Sequence, residues 1–176
     1  MVHCAPSKAR LLLRGQVPAI EAIGRALAMN LLGLSGRYVE REDDRALWLG
    51  PDEWLLKSPK EAEGLVISLE AECAGLQYAV VDVSSMYMTV NVCGDRSAFL
   101  INHGCPLDLS HEAFETGRCT RTLLGKSEII LSRVGEDAFE IDVLRSFAPY
   151  ATQFLREAGI GIYATQIKHA EPWPRP

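Results

Sequence analysis

The chain lacks the compositional signs of a nucleic-acid-binding or membrane-spanning protein. Its 176 residues carry 18 Lys and Arg against 23 Asp and Glu, a formal net charge of −5, so no clustered basic face for nucleic acid is expected. No apolar run approaches the roughly 20 residues that cross a bilayer. The N-terminal residues 1–8 contain no apolar stretch typical of a secretory signal. We therefore expect a cytoplasmic protein whose partners include neither nucleic acid nor membrane.

Cysteines and nucleotide-binding motifs are also scarce. The five cysteines are scattered and form no C-x-x-C pair, which argues against a disulfide framework, a zinc ribbon and a thioredoxin motif; they are Cys4, Cys73, Cys93, Cys105 and Cys119. The motifs G-x-G-x-x-G, G-x-x-x-x-G-K-[ST], H-E-x-x-H and G-x-S-x-G are missing. The sequence thus predicts a reducing compartment and no tightly bound dinucleotide on this chain.

What is present predicts a single α+β domain. Hydrophobic residues make up 48% of the chain and charged residues 23%, as in ordinary globular proteins with a packed core. The spacing of apolar residues and the position of turn residues define the elements. Strands are predicted at 9–14, 37–40, 46–49, 53–57, 78–83, 86–92, 118–124, 127–134 and 138–144, and helices are predicted to begin at Pro18, Ser58, Arg96 and Ser146.

Three of these predictions carry local detail. The first helix should run from Pro18 to about Leu32, because apolar residues recur at helical spacing over that stretch. Ser58 and Glu61 form the pattern of a capping box at the start of the second helix. The nearly continuous apolar stretch Tyr78–Val83 is typical of a strand that is covered on both faces.

The order of elements suggests an internal repeat. A shift of 85 positions superposes two hairpins that are each followed by a helix, and this favours two similar lobes packed into one core. The alternative is that any two hairpins followed by helices resemble each other in this way. We predict lobes at about 9–76 and 77–163, followed by a Pro-rich tail at 164–176. The shift places Gly50, Asp52, Trp54 and Leu56 on Gly135, Asp137, Phe139 and Ile141.

One polar cluster contains residues that could bind metal or act as a nucleophile. His103, Cys105, Asp108, His111 and Cys119 have side chains that suit zinc, but their spacing matches no closed zinc site. Cys105 could be a nucleophile if His103 lay beside it and lowered its pKa. The simpler interpretation, which we favour, is that the thiols are small apolar fillers in the core. We therefore predict no catalytic, cofactor-binding or metal-ligating residue on this chain.

The stretch from Asp82 to Ser85 follows an apolar strand. Its carboxylate and hydroxyl groups could line a site at the strand end. The favoured alternative is a turn held by hydrogen bonds from side chain to backbone, which Asp and Ser commonly form.

Four residues are candidates for contact with a partner protein. Arg118, Arg121 and Arg145 lie near strand ends with few acidic neighbours in sequence, and guanidinium groups in such places often bind carboxylates or a partner's backbone. A solvated face is the alternative. Trp173 lies in the Pro-rich tail, where a large aromatic side chain favours a docking role.

Five segments together resemble the gamma subunit family of heterotetrameric sarcosine oxidases. The resemblance covers about 46–159, and the order and spacing of the segments make it more specific than any one of them. The segments are Leu49–Leu56, Val81–Ser84, Cys105–Leu109, Gly117–Thr122 and Arg145–Ala148.

The resemblance implies a fold related to the folate-binding aminomethyltransferase domain of the glycine cleavage system. It also implies a complex of alpha, beta, gamma and delta subunits that oxidises sarcosine to glycine, forms hydrogen peroxide and transfers the one-carbon unit to tetrahydrofolate. FAD, FMN, NAD, zinc and tetrahydrofolate would then belong to the partner subunits. The gamma subunit would support the alpha subunit without performing redox chemistry.

One departure from the aminomethyltransferases weakens an alternative function. Their aspartate-rich motif corresponds here to Gly125–Leu131, where Glu128 is the one carboxylate. Folate-dependent transfer needs a group that handles the proton of the reacting amine, so independent transferase activity is not the favoured interpretation. A stand-alone folate-binding, aminomethyltransferase-like protein and a lobe-swapped homodimer are the remaining alternatives.

Overall fold

The computed structural model describes residues 2–5 and 9–160, with side chains described for 9–159. Within this part, two five-stranded antiparallel sheets carry four α-helices. The strands are β1 Val2–Ala5, β2 Ala9–Gly15, β3 Tyr38–Arg41, β4 Asp44–Gly50, β5 Glu53–Ser58, β6 Tyr78–Asp82, β7 Tyr87–Cys93, β8 Cys119–Leu124, β9 Ser127–Gly135 and β10 Ala138–Leu144. The helices are α1 Val17–Leu27, α2 Ala62–Glu72, α3 Ser97–Asn102 and α4 Ala148–Ile160, and a 3₁₀ turn at Arg145–Phe147 precedes α4. No helix in the described residues is long and apolar enough to cross a membrane.

Each sheet packs helices on one face and the other sheet on its opposite face. In β2, Leu11 and Leu13 pack in the core formed with α1 and α2, whereas Leu12 faces the second sheet. In β10, Phe139 and Ile141 pack in the core formed with α3 and α4. Alternate side chains of a strand point to opposite faces, so each strand of these hairpins contributes to two packed layers. The result is a helix–sheet–sheet–helix arrangement.

The two sheets repeat one topology, which confirms the predicted fold of two pseudo-repeated lobes. The first sheet has the order β3-β4-β5-β2-β6 and the second has the order β8-β9-β10-β7-β1. Strand β1, which the sequence pattern did not predict, pairs with β7 where the first sheet has β6 beside β2. The N-terminal strand therefore occupies the place that corresponds to β6.

Two predicted helix boundaries are wrong. Helix α1 ends at Leu27 rather than near Leu32, because Ala28 adopts the left-handed conformation (φ 50°) and closes the helix with backbone hydrogen bonds. The capping box is also wrong, because Glu61 is the N-cap of α2 and makes no capping hydrogen bond with its side chain. The Ser58 hydroxyl instead donates to the buried Asp44 carboxylate at 2.5 Å.

Strand β6 forms as predicted, but it is not buried on both faces as the sequence pattern indicated. It pairs with β2 and lies at the edge of the first sheet, so Val81 is 48% exposed rather than covered. The predicted division of the lobes after residue 76 remains a prediction, although β6 belongs by its hydrogen bonds to the first sheet.

Two glycines form the junction at which the lobes meet edge to edge. The Tyr38 amide donates to the Gly117 carbonyl, and the Cys119 amide donates to the Gly36 carbonyl, both at 2.9 Å. Gly36 and Gly117 have φ values of 69° and 95°, which side-chain-bearing residues adopt at a cost. Glycine is thus required where the two edges connect.

Candidate functional site

The three arginines predicted to contact a partner make different contacts in the structure. Arg121 on β8 forms a two-pronged ion pair with Glu53 on β5, at 2.8 and 2.9 Å, and so links the two lobes. The Arg145 Nε donates to the Ser85 carbonyl at 2.7 Å. Arg118 forms an isolated β-bridge with Arg37 between the sheets. Trp173 lies outside the described residues, and a role in partner contact stays a prediction for all four residues.

A buried polar cluster that was not predicted from the sequence lies between the sheets. We call it the interlobe cluster, and its members are Arg10, Arg45, Lys57, Thr89, Glu140 and Asp142. Lys57 Nζ on β5 donates to Glu140 Oε2 at 2.7 Å and to Asp142 Oδ2 at 2.9 Å, both on β10. Lys57 also donates to the Thr89 hydroxyl, which in turn donates to Asp142. The Arg10 Nη2 donates to the same hydroxyl at 2.8 Å. Cations from the first lobe therefore meet acceptors from the second lobe.

The charges of this cluster largely neutralise one another. Burial tends to raise the pKa of Glu140, but the ammonium of Lys57 and the guanidinium of Arg45 outweigh it and hold that pKa below its usual range. Arg45 lies 2.9 Å from Glu140 and stacks on the Tyr38 ring. Burial lowers the pKa of Arg10, although the neighbouring Asp142 carboxylate opposes the shift. The cluster is an electrostatic tie between the lobes.

The cluster follows the internal repeat. The register pairs Arg10 with Lys57 in the first sheet and Thr89 with Asp142 in the second. The 85-residue shift that superposes the hairpins places Lys57 on Asp142. The sequence therefore held a signal for this cluster, namely polar residues at matching positions of otherwise apolar strands.

The cysteine and histidine residues do not form the nucleophile–base pair considered from sequence. His103 Nδ1 contacts the Phe99 carbonyl at 3.0 Å, and the Cys105 sulfur lies 3.7 Å from the Thr122 hydroxyl. Burial raises the pKa of the Cys119 thiol to about 12. No group of three or more His, Cys, Asp or Glu in the described part of the chain could hold a metal ion. Cys73, Cys105 and Cys119 are buried, as is typical of small core residues.

The Asp82–Ser85 stretch is a hydrogen-bonded turn. Asp82 Oδ1 accepts from the Ser84 amide at 2.9 Å and from the Ser84 hydroxyl. These hydrogen bonds lower the pKa of the Asp82 carboxyl. Ser84 Oγ also accepts from the Arg10 amide at 2.9 Å, so the turn is held against β2.

Arg133 is a buried anchor that sequence reasoning missed. It is 1% exposed and donates to the carbonyls of Leu109, Ser110, Phe114, Gly135 and Glu136. Its guanidinium also lies 5.0 Å from the centre of the Phe139 ring. Five fixed donors on one planar group allow this arrangement. Arg133 thereby holds the 105–117 loop against the end of the β9–β10 hairpin.

Comparison with known proteins supports this architecture. Among solved structures, the heterotetrameric sarcosine oxidase from Corynebacterium sp. U-96 in complex with pyrrole 2-carboxylate contains a chain with a TM-score of 0.87 and 24% identity, covering 96% of this chain and 87% of that chain. The glycine cleavage system aminomethyltransferase T from Bartonella henselae gives a TM-score of 0.67 at 17% identity, covering 88% of this chain and 44% of that chain. Both likenesses confirm the predicted folate-binding-domain-like fold.

The sequence comparisons identify the family. The gamma subunit of sarcosine oxidase from Arthrobacter sp. is 28% identical over 144 residues, which are 82% of this chain and 69% of that protein. The sequence profile of the sarcosine oxidase gamma subunit family matches residues 16–161. The match spans both lobes, including the strands that carry Lys57 and Asp142. The chain therefore belongs to the sarcosine oxidase gamma subunit family.

Proposed function

We propose that this chain is the non-redox gamma subunit of a cytoplasmic heterotetrameric sarcosine oxidase and that it supports the alpha subunit. The observation that carries the proposal is the family match over residues 16–161. The complex would convert sarcosine, tetrahydrofolate and oxygen into glycine, methylenetetrahydrofolate and hydrogen peroxide. FAD, FMN, NAD, zinc and tetrahydrofolate would be bound by the partner subunits.

The interlobe cluster supports this division of labour. The polar side chains at the centre of the fold are used in contacts with one another, as in the three hydrogen bonds that Lys57 donates. Buried charges of this kind contribute to the specificity of packing in some proteins. In this chain they fix the relative position of two lobes, and a rigid two-lobed body can cover the surface of a larger subunit.

Co-expression with the alpha subunit tests the proposal. An affinity-tagged chain should recover alpha in a complex of defined mass, measured by size exclusion with light scattering. The proposal fails if the folded chain elutes alone in the presence of folded alpha subunit. A species of twice the chain mass would favour the lobe-swapped homodimer instead.

A second candidate is a stand-alone folate-binding, aminomethyltransferase-like protein. The fold likeness to aminomethyltransferase T favours it, but shared fold alone is an argument by analogy. Titration calorimetry of the lone chain with tetrahydrofolate separates the two. Micromolar binding that is lost in Glu128→Ala would support this candidate, and no binding heat would count against it.

A further inference from the structure

The surface around Arg145 lies at one end of the second sheet. Arg145 follows β10, and its amide donates to the Met86 carbonyl at 2.7 Å. Its guanidinium contacts the Ser85 carbonyl and, at 3.8 Å, the Met88 sulfur. Phe147 follows in the same 3₁₀ turn. We define the Arg145 surface as Ser85, Met86, Met88, Arg145 and Phe147.

Two large apolar side chains of this surface are open to solvent. Met86 is 48% exposed and Phe147 is 43% exposed, although both flank a well-formed sheet. Methionine, aromatic residues and arginine are the side chains most enriched in protein–protein interfaces. The composition of the Arg145 surface is therefore that of a binding surface.

The charge of Arg145 has no carboxylate partner among the described residues. Its contacts are the neutral Ser85 carbonyl and Met88 sulfur, whereas Arg121 is neutralised by Glu53. Burial lowers the pKa of Arg10. The Asp142 carboxylate opposes this shift, whereas the nearby positive charge of Arg145 adds to it. A carboxylate placed against Arg145 would relieve this repulsion and form a charge-assisted hydrogen bond.

We propose that the Arg145 surface is the docking surface for the alpha subunit and that it receives an apolar segment carrying an Asp or Glu side chain opposite Arg145. The inference rests on the proposed function and adds the location and chemistry of the contact. The backbone hydrogen bond and the Ser85 contact hold Arg145 in place before binding. Such preorganisation reduces the entropy lost on association.

Binding of the full-length chain to purified alpha subunit, measured by biolayer interferometry, tests the inference. Arg145→Glu and Phe147→Ser should each raise the Kd by about tenfold or more, as expected for the central residues of an interface. The matched controls Arg25→Glu on α1 and Ile67→Ser on α2 should change it by less than about threefold, because both positions are exposed and lie on the helices of the other lobe. The milder Arg145→Gln keeps the test valid if the charge reversal disturbs folding.

The outcomes distinguish the inference from the proposed function. Tight wild-type binding that all of the Arg145 and Phe147 variants retain would overturn the inference and leave the gamma-subunit function standing. If the control variants weakened binding to the alpha subunit as much as the Arg145 and Phe147 variants did, the inference would also be overturned, because the effect would not be specific to the Arg145 surface. Failure of the wild-type chain to bind alpha at all would overturn both.

Discussion

Lys57 and Asp142 occupy corresponding positions of the two lobes, and their side chains form a 2.9 Å ion pair across the interlobe face. Asp142 is fully buried and the Lys57 side chain is 11% exposed. The same topological position thus carries a cation in one lobe and a carboxylate in the other. Opposite charges at these equivalent positions attract each other where the two lobes meet.

Removal of one partner from this pair should destabilise the protein strongly. We expect Asp142→Ala to lower the free energy of unfolding by roughly 3–5 kcal/mol, because the charges of Lys57 and Arg10 lose their buried acceptor. Urea unfolding followed by circular dichroism measures the change. Ser132→Ala is the matched control, since this buried hydroxyl on the neighbouring strand makes no hydrogen bond among the described residues. A loss for Asp142→Ala as small as that of the control would contradict the proposed electrostatic tie.

Glu140 should make the stability depend on pH in the acid range. Its pKa in the folded protein is lowered from the ordinary value of 4.5, because Lys57 and Arg45 outweigh the effect of burial. A lowered pKa gives stability that is present above the unfolded pKa and is lost as the pH falls through the folded pKa.

The comparison of wild type with Glu140→Gln isolates this effect. The variant should be less stable at pH 7, and the difference should shrink as the pH falls below about 4.5. Glu112→Gln at an exposed position of the 105–117 loop is the control. A wild-type advantage that stays constant from pH 7 to pH 3 would contradict the assignment.

Arg133 should not be replaceable by lysine. Arg133→Lys keeps the charge but removes the planar set of donors, so several buried carbonyl groups lose their partner. We expect a loss of at least about 2 kcal/mol in the free energy of unfolding. Arg156→Lys on the exposed side of α4 should lie within about 0.5 kcal/mol of wild type. Equal stability of the two variants would show that Arg133 is not an anchor.

Cys119 should be chemically inert in the folded protein. It is buried, and its pKa is raised to about 12, so almost no thiolate is present at pH 8. Iodoacetamide followed by peptide mass mapping should therefore modify the half-buried Cys93 well before Cys119. In urea both thiols should react at similar rates. Faster labelling of Cys119 in the native state would contradict its placement between the sheets.

The features that could be predicted from sequence are those with local causes. The turn Gly50–Asp52 and the turn at Gly135–Asp137 fix two hairpins through their own backbone preferences. Alternation of apolar residues then identifies the strands of each hairpin. The repeat of this pattern was enough to predict two similar lobes, and the sheet orders bear it out.

The features that could not be predicted depend on residues that are distant in sequence. The Ser58 hydroxyl does not cap its own helix, because folding brings the buried Asp44 carboxylate within reach. Strand β1 takes its place by pairing with β7, which is remote in sequence. The interlobe cluster likewise exists only after two sheets have packed together. The sequence shows that polar residues occupy equivalent positions of the two repeats, but not that their side chains meet.

The same limit applies to the arginines chosen as partner contacts. Their sequence neighbours did not indicate that Arg121 would find Glu53 on another strand, nor that Arg145 would meet neutral acceptors. The three-dimensional arrangement separates Arg121, which a carboxylate neutralises, from Arg145, whose described side-chain contacts are neutral.

Sarcosine-dependent formation of hydrogen peroxide tests the central claim most directly, with the lone chain and the reconstituted complex assayed side by side. We expect no peroxide from the purified chain and full activity only when it is assembled with the other subunits. Sarcosine turnover by the chain alone, or full activity of a complex assembled without it, would contradict the account.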